Sequence, residues 1–235
     1  MSGNELEKAC LLCGQPLVYS QEAHEAECSG CGRSFATNAE CEDGHFICDE
    51  CHGAKSRPVI FYYCANTEKR DPYAIANEIM QNPTVHMHGP EHHVLIGSAL
   101  LAAYRNCGGR IDLTEALKIM SQRGSQVPGG ICGLWGNCGA GTSAGIFTSI
   151  ITGSTPLAGN SWKLSNLMTA ECLKNIAGSG GPRCCKRDGF IAIKTAVPFI
   201  AENVGVKMDL TEKIECHFSE RNKECLKKQC LFFVT

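Results

Sequence analysis

Residues 127–147 read VPGGICGLWGNCGAGTSAGIF and place two cysteines, Cys132 and Cys138, in a glycine-dense loop. Glycine allows positive φ angles and a close approach of the backbone to a bound group. The small residues after Cys138 predict a helix that packs tightly or shelters a ligand. A thiol at such a helix start meets unpaired N–H groups and the positive end of the helix dipole, which lower its pKa. The alternative is a glycine loop with two ordinary buried cysteines.

Cysteine is the outlier in the composition, with 17 among 235 residues and a formal net charge of −2 for the chain. The apolar content is typical of a globular protein with a core. No charged segment and apolar run follow Met1, so we expect no secretory signal, and no apolar run reaches membrane-spanning length. In the reducing cytoplasm, where we expect the protein, so many cysteines indicate metal or redox chemistry rather than disulfides.

The charge is unevenly distributed along the chain. Residues 1–70 carry eleven acidic and six basic side chains, a balance of −5, whereas residues 71–235 have a balance of +3. Because nucleic-acid-binding proteins normally present a basic surface, we expect no nucleic-acid partner, and we expect no membrane partner. We predict two domains: a zinc-binding module over residues 1–70 and a helical, cysteine-rich metal or cluster domain over residues 71–235.

Two Cys-x-x-Cys pairs, separated by fourteen residues, begin the first domain, and glycine directly follows each pair. Each pair forms a tight turn that presents two sulfurs, and two such turns complete a tetrahedral zinc site with Zn–S distances of about 2.3 Å. This spacing predicts a structural zinc ion bound by Cys10, Cys13, Cys28 and Cys31.

A second set of metal ligands follows immediately. Its spacing predicts a three-cysteine, one-histidine zinc site in which His45 is the histidine ligand. His52 is an alternative to His45, and Cys64 is a spare ligand. The spacing leaves open whether each site takes four consecutive ligands or whether the ligands of the two sites interleave along the chain. Both sites are closed and therefore structural. Residues 59–63 are apolar and predict a short strand or a connector. The ligands of the second site are Cys41, His45, Cys48 and Cys51.

From residue 71 onwards the apolar residues repeat at helical spacing, which predicts six or seven helices. The fold class is therefore mainly α, a helical cysteine-rich domain preceded by a small zinc-ribbon-like module with little β structure. Pro90 suits the first turn of a helix that ends near Asn106, and Asp112 suits the N-cap of the next helix. Cys107 and Cys172 fall on apolar stripes and are expected in the core.

Residues 86–93 read HMHGPEHH and carry four histidines within eight positions. Such a cluster indicates a metal site or a proton-transfer site. His88 and His92 are the candidate catalytic acid and base, with Glu91 beside them as an orienting carboxylate. The alternative is a helix start that is capped by partly exposed imidazoles.

Residues 178–190 read GSGGPRCCKRDGF, so Cys184 and Cys185 lie at a predicted helix start among cationic side chains. This environment favours thiolates, and the cations are also suited to an anionic small-molecule substrate. The tail then supplies Cys216, Cys225 and Cys230, with the alternative that these thiols only pack in the core. Iron–sulfur clusters take several thiolates from loops and helix starts. We therefore predict an iron–sulfur cluster, with ligands drawn from Cys132, Cys138, Cys184, Cys185, Cys225 and Cys230.

Several ordered motifs together resemble the domain of unknown function 5714. They are CLLCG, CSGCG, CEDGHFICDECH, HGPEHH, GNCGAGTSAGIF, GGPRCCKR and CHFSERNKEC. The resemblance implies an anaerobic bacterium or methanogenic archaeon as the source, and a family that is sometimes fused to a methyltransferase using S-adenosylmethionine. It supplies no activity and no catalytic residue. Because this chain lacks that fusion, the resemblance implies a separate methyltransferase as a partner.

Three functions are consistent with these motifs. The first is a metalloprotein with two structural zinc ions and a [4Fe–4S] cluster for redox, sulfur or methyl-group chemistry, working with an electron-transfer protein or a methyltransferase. Three cysteine ligands would leave one iron open for a substrate. The second is a zinc-stapled adaptor without catalysis that docks a methyltransferase or a corrinoid protein. The third is a thiol-based redox or sulfur-transfer protein without a cluster.

Overall fold

The computed structural model describes residues 10–234, which form nine α-helices, one 3₁₀ turn and a two-stranded sheet. The mainly α fold with little β structure is confirmed. The segment after Met1, on which the expectation about a secretory signal depends, lies outside the described residues. The elements are β1 Leu17–Glu27, β2 Ser34–Cys41, α1 Asp49–Gly53, α2 Ser56–Asn66, α3 Pro72–Met80, α4 Glu91–Asn106, α5 Leu113–Gly124, α6 Ile131–Leu134, α7 Gly139–Thr152, α8 Asn160–Gly178, α9 Cys185–Asn203 and the 3₁₀ turn Lys227–Gln229.

The two strands form an antiparallel hairpin. Leu17 pairs with Cys41 at one end and Glu27 pairs with Ser34 at the other, with a register irregularity between Tyr19 and His24. The hairpin therefore brings the segment before β1 close to the segment after β2. The turn between the strands, which carries the second Cys-x-x-Cys pair, lies at the opposite end.

Of the two interpretations of residues 59–63, the short strand is wrong, because this segment lies in helix α2. A short apolar run does not distinguish a strand from a buried helix by periodicity alone. Here Ser56, Ile60 and Cys64 are buried at helical spacing, and α2 packs against α4 and α5. Burial also raises the pKa of the Cys64 thiol far above its ordinary value, so Cys64 is a core side chain and not a spare zinc ligand.

Helix α4 is the centre of the helical domain. Fourteen of its sixteen residues are buried, and α2, α3, α5, α7 and α9 all pack against it. The approach of α7 depends on Gly97 and Ser143: the Ser143 hydroxyl accepts the Gly97 N–H at 2.8 Å and donates to the His93 carbonyl at 2.6 Å. A small residue on α4 thus allows a buried polar contact between the two helices.

The predicted helix starts are confirmed where a local capping signal exists. Asp112 accepts the Glu115 N–H at 3.0 Å at the start of α5.

Cys172 is fully buried and Cys107 is partly buried, both against the main core. The described part of residues 71–235 contains seven α-helices, as predicted. The domain boundary at residue 70 stays a prediction.

Within residues 10–234, no helix combines the length and the apolar character that crossing a lipid bilayer demands.

Gly97→Ala is expected to lower the free energy of unfolding by about 1–3 kcal/mol, because overpacking in a tight core forces neighbours to move. The added methyl group would lie 2.3 Å from Met120 Sδ and 3.0 Å from the Ser143 carbonyl oxygen. Gly133→Ala in α6 is the matched control, since a Cβ there meets no atom within 4 Å. Denaturant titration of the zinc-loaded proteins measures both, and equal midpoints for the two variants would contradict the close packing of α4.

Candidate metal centres

Two groups of four metal-ligand side chains lie in the N-terminal module. The ligand atoms within each group all lie within 4.8 Å of one another. Sulfur ligands about 2.3 Å from one tetrahedral ion lie about 3.8 Å apart, and the observed Sγ–Sγ distances of 3.7 Å for Cys13–Cys41 and 4.0 Å for Cys31–Cys48 agree. Both groups therefore fit a zinc ion. The first is Cys10, Cys13, Cys41 and His45, and the second is Cys28, Cys31, Cys48 and Cys51.

The two sites interleave along the chain, so the grouping of Cys10, Cys13, Cys28 and Cys31 at one site is wrong. The reason is the length of the hairpin. Strand β2 has eight residues, which at about 3.3 Å per residue separates its ends by roughly 23 Å. One ion cannot span that distance. Each Cys-x-x-Cys pair therefore joins a later pair of ligands at its own end of the hairpin.

His45, not His52, completes the first tetrad. Its Nδ1 lies 3.3 Å from Cys13 Sγ and 3.5 Å from Cys41 Sγ. In the second tetrad, Cys28 Sγ accepts the backbone N–H groups of Cys48 at 3.2 Å and Gly30 at 3.4 Å. Burial opposes charge on Cys28, but these backbone donors outweigh it and lower the pKa of the thiol to about 6. The local backbone thus favours the thiolate that zinc requires.

A third compact group joins the module to the helical domain. His52 at the end of α1, His86 in the loop before α4 and Glu91 at the start of α4 bring their ligand atoms within 4.8 Å of one another. Glu91 Oε2 accepts from His52 Nδ1 at 3.0 Å, and Oε1 accepts from His86 Nδ1 at 3.1 Å. Burial opposes the charge of Glu91, yet these hydrogen bonds hold the pKa of its carboxyl group well below the usual range.

One of the two candidate catalytic histidines contacts a buried lysine. His92 accepts from Lys186 Nζ at 3.0 Å through Nε2 and donates to the Gly89 carbonyl at 3.2 Å through Nδ1. His88 Nε2 donates to Asn222 at 3.2 Å, while its Nδ1 is buried and has no partner in the described part of the chain. Burial lowers the pKa of His88 to about 4 and that of His92 well below its ordinary value. Their catalytic roles stay predictions.

Lys186 is fully buried at the start of α9. Besides His92, its Nζ contacts the His86 carbonyl at 2.9 Å and lies 5.1 Å from the Phe218 ring centroid. Burial lowers the pKa of this ammonium group to about 8. Among the described residues, no carboxylate lies within 4.0 Å of Nζ. The adjacent Arg187 does have a carboxylate partner, because its Nε donates to Asp188 at 3.0 Å.

The tail folds back on the start of α9 and forms a pocket that we call the tail pocket. Cys184 is the N-cap of α9, Cys216 pairs in a short β-bridge with Phe233, and the last two cysteines flank the 3₁₀ turn. The cavity has a volume of about 20 Å³. Its lining is Cys184, Cys216, Cys225 and Cys230, with Met87, Arg187, Phe218, Ser219, Asn222 and Leu226.

Backbone and amide donors point at two of these sulfurs. Cys184 Sγ accepts from the Arg187 N–H and from Asn222 Nδ2, both at 3.5 Å. Cys225 Sγ accepts from the Lys227 N–H at 3.4 Å. Burial nevertheless raises the pKa of Cys184 to about 11. The thiol is therefore neutral at pH 7 unless a cation binds it.

The other three predicted cluster ligands do not line the tail pocket. Cys132 lies half-buried in α6, and Cys138 is the N-cap of α7 with its Sγ 3.9 Å from Asp188 Oδ2. The expectation that the helix start lowers the pKa of Cys138 is wrong, because burial and the neighbouring Asp188 charge raise it to about 12. Burial also raises the pKa of Cys185 to about 12. A ligand role for these three stays a prediction.

Sequence reasoning left Cys216 out of the predicted cluster ligands and considered His52 only as an alternative zinc ligand to His45. Cys216 belongs to the tail motif CHFSERNKEC, and only the return of the tail onto α9 brings its thiol into the pocket. His52 directly follows a zinc ligand, and only the docking of α1 against the loop before α4 reveals its carboxylate partner.

A family model described as "Family of unknown function (DUF5714)" matches residues 60–233. The matched range begins within α2 and extends through the tail, so it contains the tail pocket and excludes both zinc tetrads. No curated protein and no solved structure matches the chain.

Two double variants distinguish interleaved from sequential zinc sites. With interleaving, Cys13→Ser with His45→Ala removes two ligands of one site and should release one zinc ion per chain, whereas Cys13→Ser with Cys31→Ser damages both sites and should release two. Sequential sites would reverse these losses. Zinc content relative to the unsubstituted protein is the measurement, and His24→Ala on the exposed face of β1 is the control, with no zinc lost.

Proposed function

Because the chain belongs to the DUF5714 family, whose description names no activity, we propose a function from the geometry of its sites. The protein is a zinc-folded iron–sulfur protein that carries electrons through a cluster in the tail pocket. The observation that supports this proposal is the convergence of four cysteines from separate segments on one cavity.

Four thiols around a single cavity are unusual for side chains that only fill a core. A free cysteine usually packs as a small hydrophobic group, as Cys172 does here against Met168 Sδ at 3.9 Å. Iron–sulfur clusters, by contrast, are typically held by four cysteine thiolates. The four sulfurs of the tail pocket are more widely spread than those of the zinc tetrads, since they do not form a group within 4.8 Å. A cluster spaces its ligands more widely than a single ion does.

The charges around the pocket fit an anionic centre. A cluster with four thiolate ligands carries net negative charge, and a buried cation without an anionic partner is costly. Lys186 is such a cation, fully buried and without a carboxylate within 4.0 Å among the described residues, and Phe218 beneath its ammonium group also lines the pocket. The N–H groups that point at Cys184 and Cys225 are of the kind that tune cluster potentials.

Four cysteine ligands leave no iron open, which favours electron transfer over substrate binding at the cluster. Cys225 and Cys230 are partly exposed, so the edge of the cluster lies near the surface, where an electron-transfer protein can approach. The sequence resemblance implies a separate methyltransferase as a further partner; because methyl transfer from S-adenosylmethionine consumes no electrons, the electron acceptor is a different protein. His88, linked to Cys184 through Asn222, is the candidate for accompanying proton transfer.

A third structural zinc ion in the tail pocket is the second candidate. The cavity volume of about 20 Å³ favours it, because this space suits one ion or one water, and a cluster requires the tail to move outward. In that case the protein is a zinc-stapled adaptor. The two candidates differ in metal content and in colour.

Anaerobic purification and reconstitution, followed by iron and acid-labile sulfide analysis, tests the proposal. We expect iron, sulfide and a broad visible absorption that bleaches on reduction. Cys216→Ser and Cys230→Ser should each lower the iron content several-fold, because each removes a ligand. Cys132→Ser is the matched control, a half-buried thiol outside the pocket, and its iron content should be unchanged.

Three results would contradict the proposal. They are zinc as the only bound metal, an unchanged cluster in Cys216→Ser, and loss of the cluster in Cys132→Ser. The last result would place the cluster at the glycine loop instead of the tail.

A further inference from the structure

We propose that His52, His86 and Glu91 bind a further divalent transition-metal ion, zinc or ferrous iron, between the zinc module and the helical domain. The site shares no ligand with the tetrads or with the tail pocket, so it is independent of the proposed cluster. Its donor set contains two imidazole nitrogens and one carboxylate. This combination is common for catalytic zinc and for non-haem iron.

The distances from the Glu91 carboxylate to the two imidazole nitrogens fit one ion, and one ligand atom from each of the three residues lies within 4.8 Å of the others. Two ligand atoms that each lie about 2.1 Å from a metal, at tetrahedral or octahedral angles, are about 3.0–3.4 Å apart. Glu91 Oε2 lies 3.0 Å from His52 Nδ1, and Oε1 lies 3.1 Å from His86 Nδ1. The two imidazole rings meet edge to face with centroids 4.5 Å apart. Both nitrogens are therefore already directed at the same carboxylate.

The carboxylate of Glu91 requires a positive partner. Its side chain is 0% exposed, and among the described residues only the two histidines form an ion pair with it. A buried charge is normally paired or bound to a metal. The backbone leaves room for this arrangement only because residue 89 is glycine: a Cβ there would lie 2.2 Å from Glu91 Oε2 and 2.4 Å from His52 Cε1.

Further contacts hold the ligands in place, as metal sites require of their surroundings. Glu91 Oε1 also accepts the backbone N–H of His86 at 2.9 Å. The carbonyl of the same residue accepts from Lys186 Nζ at 2.9 Å. Fully buried groups thus hold both the backbone N–H and the carbonyl of His86, which fixes the loop before α4.

The protein supplies three ligands, which leaves coordination positions open. The His86 side chain is 30% exposed and that of His52 is 17% exposed, so the open positions face solvent. Water or a small oxygen-donor ligand can occupy them. A three-ligand site with access to solvent is the arrangement of catalytic rather than structural zinc.

Cobalt, zinc and anaerobic ferrous iron are the probes for the full chain with both tetrads filled. We expect one further equivalent of each metal to bind. The spectrum of the further cobalt equivalent should lack the thiolate charge-transfer band that cobalt in the tetrads or in the tail pocket would produce. His86→Ala should lower the affinity for this further equivalent by at least about 10–100-fold and leave the thiolate-bound metals in place. His24→Ala on β1 is the matched control and should bind the added metal normally.

Nitrogen NMR of the histidine rings in the unsubstituted protein keeps the test independent of folding in the variants. Zinc should shift the Nδ1 resonances of His52 and His86 and leave that of His93 unchanged, because His93 Nδ1 donates to the Val127 carbonyl at 2.8 Å. No further equivalent, a further equivalent that shows only a thiolate band, an unchanged affinity in His86→Ala, or unshifted His52 and His86 resonances would each overturn the site. The tail cluster is measured separately through its iron and sulfide.

Discussion

Three consecutive polar side chains at the start of α4 join the parts of the molecule. Successive side chains of a helix point about 100° apart, so those of Glu91, His92 and His93 extend from the buried helix in three different directions. Glu91 meets His52 of the zinc module, His92 meets Lys186 of α9, and His93 donates to the Val127 carbonyl at the start of the glycine loop. Because 14 residues of α4 are buried, the helix fixes all three contacts relative to one another.

The same arrangement concentrates charge that the protein does not fully neutralise by itself. Arg187 and Asp188 form a buried pair with an Nε–Oδ1 distance of 3.0 Å. Within residues 10–234, by contrast, the hydrogen bonds of Lys186 Nζ go to the His86 carbonyl and to His92, and Glu91 accepts from two imidazoles and one backbone N–H. Low-dielectric surroundings make such groups costly unless a charged partner is bound. The lysine lies beside a pocket of four thiols and the carboxylate lies between two histidines. Each excess charge is thus placed where a group of opposite sign can bind.

Much of the fold was predictable because its signals are local. The Asp112 cap and the helical repeat that buries Cys172 depend on residues within one or two turns. The zinc ligands were equally clear, but their pairing was not, since the spacing of Cys-x-x-Cys pairs does not report the length of the hairpin between them. Long-range contacts explain the other errors. Residues 59–63 became helical by packing on α4 and α5, and burial beside Asp188 outweighed the helix start at Cys138. Only the returning tail placed Cys216 next to Cys184.

The interleaving of the two tetrads also determines how the module can acquire its metals. The first tetrad takes ligands from before β1 and from the end of β2 onwards, and the second joins the turn of the hairpin to the segment after β2. We therefore expect neither binding site to be complete before the two strands have paired. Once one ion closes its end, the hairpin is formed and the ligands at the opposite end are held in register. We therefore expect binding of the first ion to favour binding of the second, so that at limiting metal the empty and doubly loaded chains outnumber the singly loaded ones.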